Sequence, residues 1–518
     1  MSGDSRGFVL SLDVGTTTLS CHLFNSACAS VASSSQYVRL LYPKPGWVEI
    51  NPDELFSDVL EVVNQTIKKA NVSIADIKSF GIATQRATFI TWKKDTGEPL
   101  HNFITWKDLR AAEFLKDLNS SWPTVMLRWS CYFLYLFTRI KKFGVGGKFK
   151  IECKHVTGRL LWIIANISEV SKALESDNLM FGTMDTWLIY KLTGGKTYVS
   201  DISNASCTGF YDPFDLGYGI LAKLLKIPVN ILPKVVDNDY EFGSTLKDFF
   251  GMPLRIGCVM GDQSSSMFGT CSFKTNDVKV TLGTGSFLNI NTSGKLHPSL
   301  NGIYPIVGWK IKNEITFISE VSCNDAGSLI QWLLLNGFVQ SPSETSEIAS
   351  KVEDSNGVYF VPAFSGLGPP IGDEKAATGF IGITPTTKNA HMIRAVLESI
   401  VYQLVLAFEL LKKERVGIYR SLRIDGGVSQ NDFICQMLAD LADISVERSG
   451  FADMTVRGVA YIAGLSSGVW KDETEFQVNS DLKRVFKPTT SLNEKEKYKT
   501  SFKQWILAVE RFKFWYKM

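Results

Sequence analysis

The stretch Phe8–Phe24, FVLSLDVGTTTLSCHLF, decides the fold class. An apolar run reaches a carboxylate at Asp13, turns at Gly15 through Thr16, Thr17 and Thr18, and returns from Leu19 to Phe24, which predicts a glycine-turned β-hairpin. The same grammar recurs far downstream in DVKVTLGTGSFLNI, residues 277–290: strand to Leu282, turn at Gly283-Thr284-Gly285, return from Ser286. Two such hairpins opening two halves of a chain predict a duplicated architecture. Working outward, Lys78–Ala83 and Arg255–Met260 read as short strands, with Ala376–Ile381 a weaker one. Asn389–Lys412 carries Ile393, Val396, Leu397, Ile400, Val401 and Leu404 at helical spacing, as a core helix does. Ser421–Ile424 reads as a strand, Asp425-Gly426-Gly427 as a turn, and Ser429 with Asp432 as a capping box opening a helix. Strands alternating with helices give an α/β class, with a division into 1–269 and 270–518.

Length and composition bound the same answer. At roughly 150 residues per domain, 518 residues predict about two to four domains. Hydrophobic residues at 45% exclude general disorder, and 55 basic against 52 acidic residues give no bulk-charge support for nucleic-acid binding. Nine cysteines without a C-x-x-C pair read as reduced thiols in a cytoplasmic protein. The first residues carry no signal-peptide apolar region, and no transmembrane anchor is expected. The apolar stretch Thr124–Thr138 contains Arg128 and is shorter than the roughly 18 residues of a spanning helix, so it is expected to be a buried helix. Trp505–Tyr516 is amphipathic and expected to dock on the core.

Known signatures fail before any succeeds. A P-loop ending in Gly195-Lys196-Thr197 needs glycine where Tyr190 stands, Gly366-Leu367-Gly368 lacks the third glycine of a dinucleotide fingerprint, and no H-E-x-x-H occurs. Both Gly-Thr turns can instead grip phosphate: backbone N–H groups approach closely, threonine hydroxyls add donors, and Asp13 can hold Mg²⁺ through water. Asp425-Gly426-Gly427 before a helix offers a floor for a nucleoside or its phosphates. Asp262, after the strand ending at Met260, can accept the proton of a substrate hydroxyl or can simply cap a helix.

Together with Tyr42–Glu49 (YPKPGWVE), Gln85-Arg86, Gly182-Thr183, Asp185–Leu188 (DTWL) and Ser203–Ser206 (SNAS), these motifs resemble, in order, the FGGY carbohydrate kinases of glycerol kinase type. The resemblance runs from about Gly7 to Trp470, and Ser130–Phe137 resembles one branch of the glycerol kinases. It implies two ribonuclease H-like, actin-like ATPase domains closing around ATP and a polyol. Residue by residue it implies Asp262 as catalytic base; Arg86, Gln263, Trp106 and Asp262 as polyol contacts; and Asp13 as the metal-associated acid. It further implies Thr16, Thr17, Thr18, Gly283, Thr284, Gly327, Gln331, Gly427 and Asn431 as nucleotide contacts. The implied reaction is ATP- and Mg²⁺-dependent phosphorylation of glycerol or a related polyol, giving glycerol 3-phosphate and ADP. A kinase for another sugar, or a nucleotide-binding regulatory protein, is the alternative, and a homo-oligomer is compatible with any of these. Four departures bear on that choice. Ala87 stands where glycerol kinases have Glu, Ser20 where they have Arg, and Pro369-Pro370-Ile371 where they have Pro-Tyr-Trp. Their substrate-contacting tyrosine block has no counterpart between Asn119 and Arg159 beyond Tyr132 and Tyr135.

Overall fold

The computed structural model describes residues 7–148, 150–414, 416–417, 419–476 and 482–516. Strand β1 (Phe8–Val14) pairs antiparallel with β2 (Thr18–Phe24), as the opening stretch predicts, and β2 pairs with β3 (Ser30–Tyr37). Strand β1 lies inside the sheet and is almost entirely buried, whereas β3 is an edge, where Ser and Gln side chains reach solvent. Helix α1 (Pro52–Ala70) starts where the Asn51 side chain accepts from the N–H groups of Asp53 and Glu54 and proline takes the first position. It buries Leu55, Val59, Val62 and Val63 against this sheet. Strand β4 (Ile77–Thr84) then pairs parallel with β1. Before the sheet is completed the chain builds a smaller unit around a four-stranded sheet of Glu49–Ile50, Phe103–Ile104, Phe89–Lys93 and Leu179–Thr183. This segment includes the helices α2 (Trp122–Thr138) and α3 (Lys141–Lys148), which pack on each other. Strand β5 (Ile256–Gly261) closes the order β5-β4-β1-β2-β3 and runs directly into helix α4 (Asp262–Gly269).

The second half repeats the plan. Strands β6 (Val278–Leu282), β7 (Ser286–Ser293), β8 (Tyr304–Ile311) and β9 (Glu314–Cys323) are followed by helices α5 (Gly327–Leu335) and α6 (Asn389–Lys413). Then come β10 (Ser421–Asp425), α7 (Asp432–Ala442), β11 (Ser445–Ser449), α8 (Met454–Ser467), β12 (Leu482–Phe486) and α9 (Leu492–Phe512). The sheet order β8-β9-β7-β6-β10-β11-β12 contains β9-β7-β6-β10-β11, the counterpart of β3-β2-β1-β4-β5, with three antiparallel strands and two parallel ones in each. Helices α4 and α8 follow corresponding strands and cross in direct backbone contact. A Cβ at Gly458 would stand 1.7 Å from the Ser265 carbonyl oxygen, and one at Gly269 would stand 2.1 Å from that of Met454. Helix α8, from the second half, also lies on β1, β4 and β5 of the first.

The core helix α6 buries all six residues of the predicted stripe. Three readings are corrected. Helix α2 buries only Thr124, so Thr124–Thr138 is not a buried helix. The cap of α7 is Asn431, whose side chain accepts from Ile434 N–H, because Gly427–Gln430 is spent in a separate 3₁₀ turn; Ser429 bonds the Gly426 carbonyl instead. The C-terminal helix docks through Trp505, Ala508 and Val509 but ends at Phe512, leaving Phe514, Trp515 and Tyr516 exposed. No helix among the described residues is long and apolar enough to cross a membrane.

Candidate active site

The first Gly-Thr turn is closed by Gly15 N–H donating to the Thr18 carbonyl (3.1 Å) and held from outside by Gln85. Gln85 Nε2 donates to the Gly15 carbonyl (3.0 Å), and its Oε1 accepts from Thr16 Oγ1 (3.3 Å). Trp106 Nε1 donates to the same Thr16 hydroxyl (2.9 Å), so the expected polyol wall and the expected phosphate turn are one hydrogen-bonded unit. The second turn is tied to the start of α5: Gly327 N–H donates to the Gly283 carbonyl, and Ala326 and Ser328 N–H donate to that of Thr284. Only glycine fits at 327, because a Cβ there would stand 2.6 Å from the Gly283 carbonyl oxygen. Gly327→Ala should therefore displace the Thr284 turn and lower kcat/KM for ATP about 10- to 100-fold, measured by steady-state kinetics, and lower the unfolding temperature by a few degrees because overpacking costs about 1–3 kcal/mol. The two turns face each other, Thr17 Oγ1 lying 2.9 Å from Thr284 Oγ1.

Asp13 is the next-to-last residue of β1, behind this pair of turns. Its Oδ1 is buried with no hydrogen-bond partner. Burial first, then the carboxylates of Asp453, Asp262 and Asp425, push its pKa well above the ordinary range. Asp425, at the end of β10, accepts from Ser266 and Thr281 hydroxyls, the latter at 2.6 Å. Asp453 accepts from Ser20 Oγ (2.6 Å) and caps α8, so the site where an arginine is expected holds a short hydroxyl-to-carboxylate hydrogen bond. Among the described residues no three His, Cys, Asp or Glu form a self-sufficient metal cluster. An orphaned buried carboxylate oxygen beside three more carboxylates does fit a cation that takes one or two carboxylates and completes its shell with water and phosphate oxygens.

Asp262 is the first residue of α4, and Gly261 before it is fixed by donating its N–H to Ser203 Oγ (2.8 Å). Asp262 Oδ1 accepts from Gln263 N–H (2.7 Å) and Arg86 Nε (3.1 Å), while Oδ2 has no protein partner among the described residues. The Arg86 guanidinium bridges the two halves, its other edge donating twice to Glu320 on β9 (3.0 and 2.8 Å). Burial opposes that charge, but Glu320, Cys207 and Asp262 outweigh it and hold Arg86 protonated far above its ordinary range. Phe287, the second residue of β7 after the turn, lies under the guanidinium at 5.7 Å and edge-on to Trp106 at 6.3 Å. Arg86, Asp262, Trp106, Phe287 and Glu320 thus form one wall next to both turns.

Other expected contacts fall less neatly. Gln263 Oε1 is taken by the buried Lys279 (3.1 Å) and Asn289 (3.3 Å). Asn431 spends its amide capping α7 and donating to Thr345 (3.0 Å). Gln331 is exposed on α5, one turn beyond Gly327, and Gly427 stands in open space beside Gly426, which rests on the Leu282 backbone. Tyr132 packs against Trp129 and Gly147, and Tyr135 against Gly144, so both belong to the α2–α3 hairpin and neither touches the Arg86 wall. Sequence reasoning missed Phe287, Glu320, Lys279 and Asp453. Phe287 alone had a local signal, its position at the exit of a Gly-Thr turn.

The descriptions "FGGY family of carbohydrate kinases, N-terminal domain" and "C-terminal domain" match residues 8–128 with 141–269, and residues 278–467. The chain belongs to the FGGY family of carbohydrate kinases. Its reaction class is phosphoryl transfer from ATP to a carbohydrate or polyol hydroxyl. It is 43% identical over its whole length to "Glycerol kinase 5" of Bos taurus, covering 98% of that protein. It is 37% identical to "Glycerol kinase 2" of Thermotoga maritima, covering 98% of this chain and 99% of the relative. The structure of Plasmodium falciparum glycerol kinase with ADP superimposes with a TM-score of 0.82 at 30% identity, covering 98% of each chain. These FGGY kinases share the two-domain actin-like fold found here.

Proposed function

We propose that this kinase phosphorylates a primary hydroxyl of glycerol, giving glycerol 3-phosphate and ADP. The observation that carries the reading is the Arg86 guanidinium spanning Asp262 and Glu320 beside both Gly-Thr turns. A small polyol placed on this wall meets a fixed cation, a carboxylate with one free oxygen, and the rings of Trp106 and Phe287. Its polar groups suit a polyol, and the relatives named glycerol kinases support glycerol as that polyol. Asp262 Oδ2 takes the proton of the attacking hydroxyl. Thr16, Thr17, Thr18, Gly283 and Thr284 orient the phosphates, since positioning and electrostatics dominate phosphoryl transfer. Gly327 supports the second turn, and Gln331, Gly427 and Asn431 line the way to the adenosine end. Asp13, with Asp262, Asp425 and Asp453 near it, would hold Mg²⁺, which when bound neutralises charge on the phosphates. The site lies between the units 1–269 and 270–518.

Ala87 is the specific observation favouring a second substrate. It sits at φ 58° with its carbonyl fixed by Arg159 (2.7 Å), and it presents only a methyl group where glycerol kinases place a carboxylate. A site lacking one hydroxyl acceptor discriminates less against polyols of other shape. Labelled ATP with Mg²⁺ and a panel of glycerol, erythritol, dihydroxyacetone and pentitols tests both readings. Glycerol as the substrate with the highest kcat/KM is the expected result; transfer only to another polyol overturns glycerol, and ATP binding without transfer to any polyol overturns both.

A further inference from the structure

Helix α2 carries its apolar stripe on the outside. Trp122, Met126, Trp129, Phe133 and Phe137 follow one another at the three- and four-residue steps of a single helix face, Leu136 stands beside them, and Ile140 lies just past the helix end. All are exposed, from 40% at Leu136 to 83% at Phe137. The opposite face packs on α3 through glycines: Cys131 meets Gly146, Tyr132 meets Gly147 and Tyr135 meets Gly144. The inner face is thus already partnered, and rotation of α2 to hide the stripe would break that packing. The family match covers residues 8–128 and 141–269 and passes over Trp129–Ile140, the larger part of the exposed stripe.

Charge says what covers this face. Between Asp117 and Glu152 there is no acidic residue and there are six basic ones: Arg128, Arg139, Lys141, Lys142, Lys148 and Lys150. Lys142 is paired with Asp212 and Asp215, but Arg139 and Lys141, at the exposed tip between the helices, make no ion pair among the described residues. Exposed Trp and Phe with the unpaired Arg139 and Lys141 at their end match the interface of an anionic lipid bilayer, where rings enter the headgroup layer and cations meet the surface charge. A second copy of the chain fits worse, because joining two stripes brings two sets of uncompensated cations together.

We propose that the α2–α3 hairpin is a docking surface for anionic membranes, which brings the kinase to a bilayer without spanning it. Co-sedimentation of the full chain with phosphatidylcholine vesicles, with and without phosphatidylserine, tests this. The expected result is partition onto the phosphatidylserine vesicles, a blue shift of tryptophan emission, and release as salt is raised. Trp129→Ser/Phe133→Ser/Phe137→Ser should lower that partition at least about tenfold, with an unchanged unfolding temperature because none of the three belongs to a core cluster. Arg139→Ser/Lys141→Ser should weaken it most at low salt. Wild-type protein that stays in the supernatant, a triple variant that partitions like wild type, or equal binding to both vesicle types would each overturn the proposal. So would an oligomer, or a complex with an acidic protein, that the triple variant abolishes while wild type ignores vesicles.

Discussion

Asp262→Asn should lower kcat by about 10²–10⁴ while leaving the KM for ATP within a fewfold of wild type. The prediction rests on what the substitution keeps. The amide has the carboxylate's shape and still accepts the Gln263 N–H bond that fixes its orientation at the start of α4. Arg86 loses one ionic partner, yet its two hydrogen bonds to Glu320 continue to hold the guanidinium in place. What disappears is the one group on this wall that has a free oxygen able to take a proton. Because phosphoryl transfer depends mostly on positioning and electrostatics, some turnover survives, which is why the expected loss is bounded. Asp262→Glu separates the two contributions: it keeps the base but moves it by about a methylene, and misplacement of about 1 Å costs on the order of 10²-fold. Initial-rate kinetics with saturating polyol decide the matter. If Asp262→Asn keeps more than about a tenth of the wild-type kcat, Asp262 is only the first residue of its helix and the base lies elsewhere.

The hairpins and the Asp-Gly-Gly turn were legible because their signals are local. A strand, a glycine turn and a returning strand lie within 17 residues at Phe8–Phe24, and both copies stand where they were expected. The duplicated sheet order could be anticipated from them but not drawn, since which strands neighbour each other depends on pairings such as β4 with β5, more than 170 residues apart. The partners of Arg86 were hidden for the same reason: Glu320 lies 234 residues away. Gln263 was read by motif as a polyol contact, and only the fold shows that Lys279, buried at the junction of the halves, occupies its oxygen. The capping reading at Ser429 failed because a second cap-forming residue, Asn431, stands two positions on. Tertiary packing against Thr345 favours Asn431. The error at Thr124–Thr138 has a different origin. Apolar periodicity identifies a stripe but not the side it faces, and here the glycines of α3 take the opposite side.

Asp13→Asn should abolish Mg²⁺-dependent transfer and at the same time stabilise the protein free of nucleotide. Asp13 is buried with one oxygen unpartnered, and burial together with Asp453, Asp262 and Asp425 raises its pKa. The sign follows from linkage. A carboxyl whose folded pKa lies above its unfolded value holds its proton more tightly when folded, so that contribution is complete below the unfolded pKa of about 4. It is lost as pH climbs through the raised folded pKa, and above that the folded state carries an uncompensated charge. Asparagine never acquires the charge, so the variant should unfold at a higher temperature than wild type at neutral pH. The gap should close as pH falls below about 4, where both states of wild type are protonated. A buried polar group without a partner costs about 1–3 kcal/mol, which predicts a shift of a few degrees in a chain of this size. Adding Mg²⁺ and nucleotide should reverse the order, because a ligand bound only by the folded state stabilises wild type while the variant lacks the charge that attracts it. Thermal scans of both proteins across pH, with and without Mg²⁺-nucleotide, give the four curves needed. A variant less stable than wild type at neutral pH, or stabilised equally by Mg²⁺-nucleotide, would show that Asp13 is held in its buried site by packing and not by a cation.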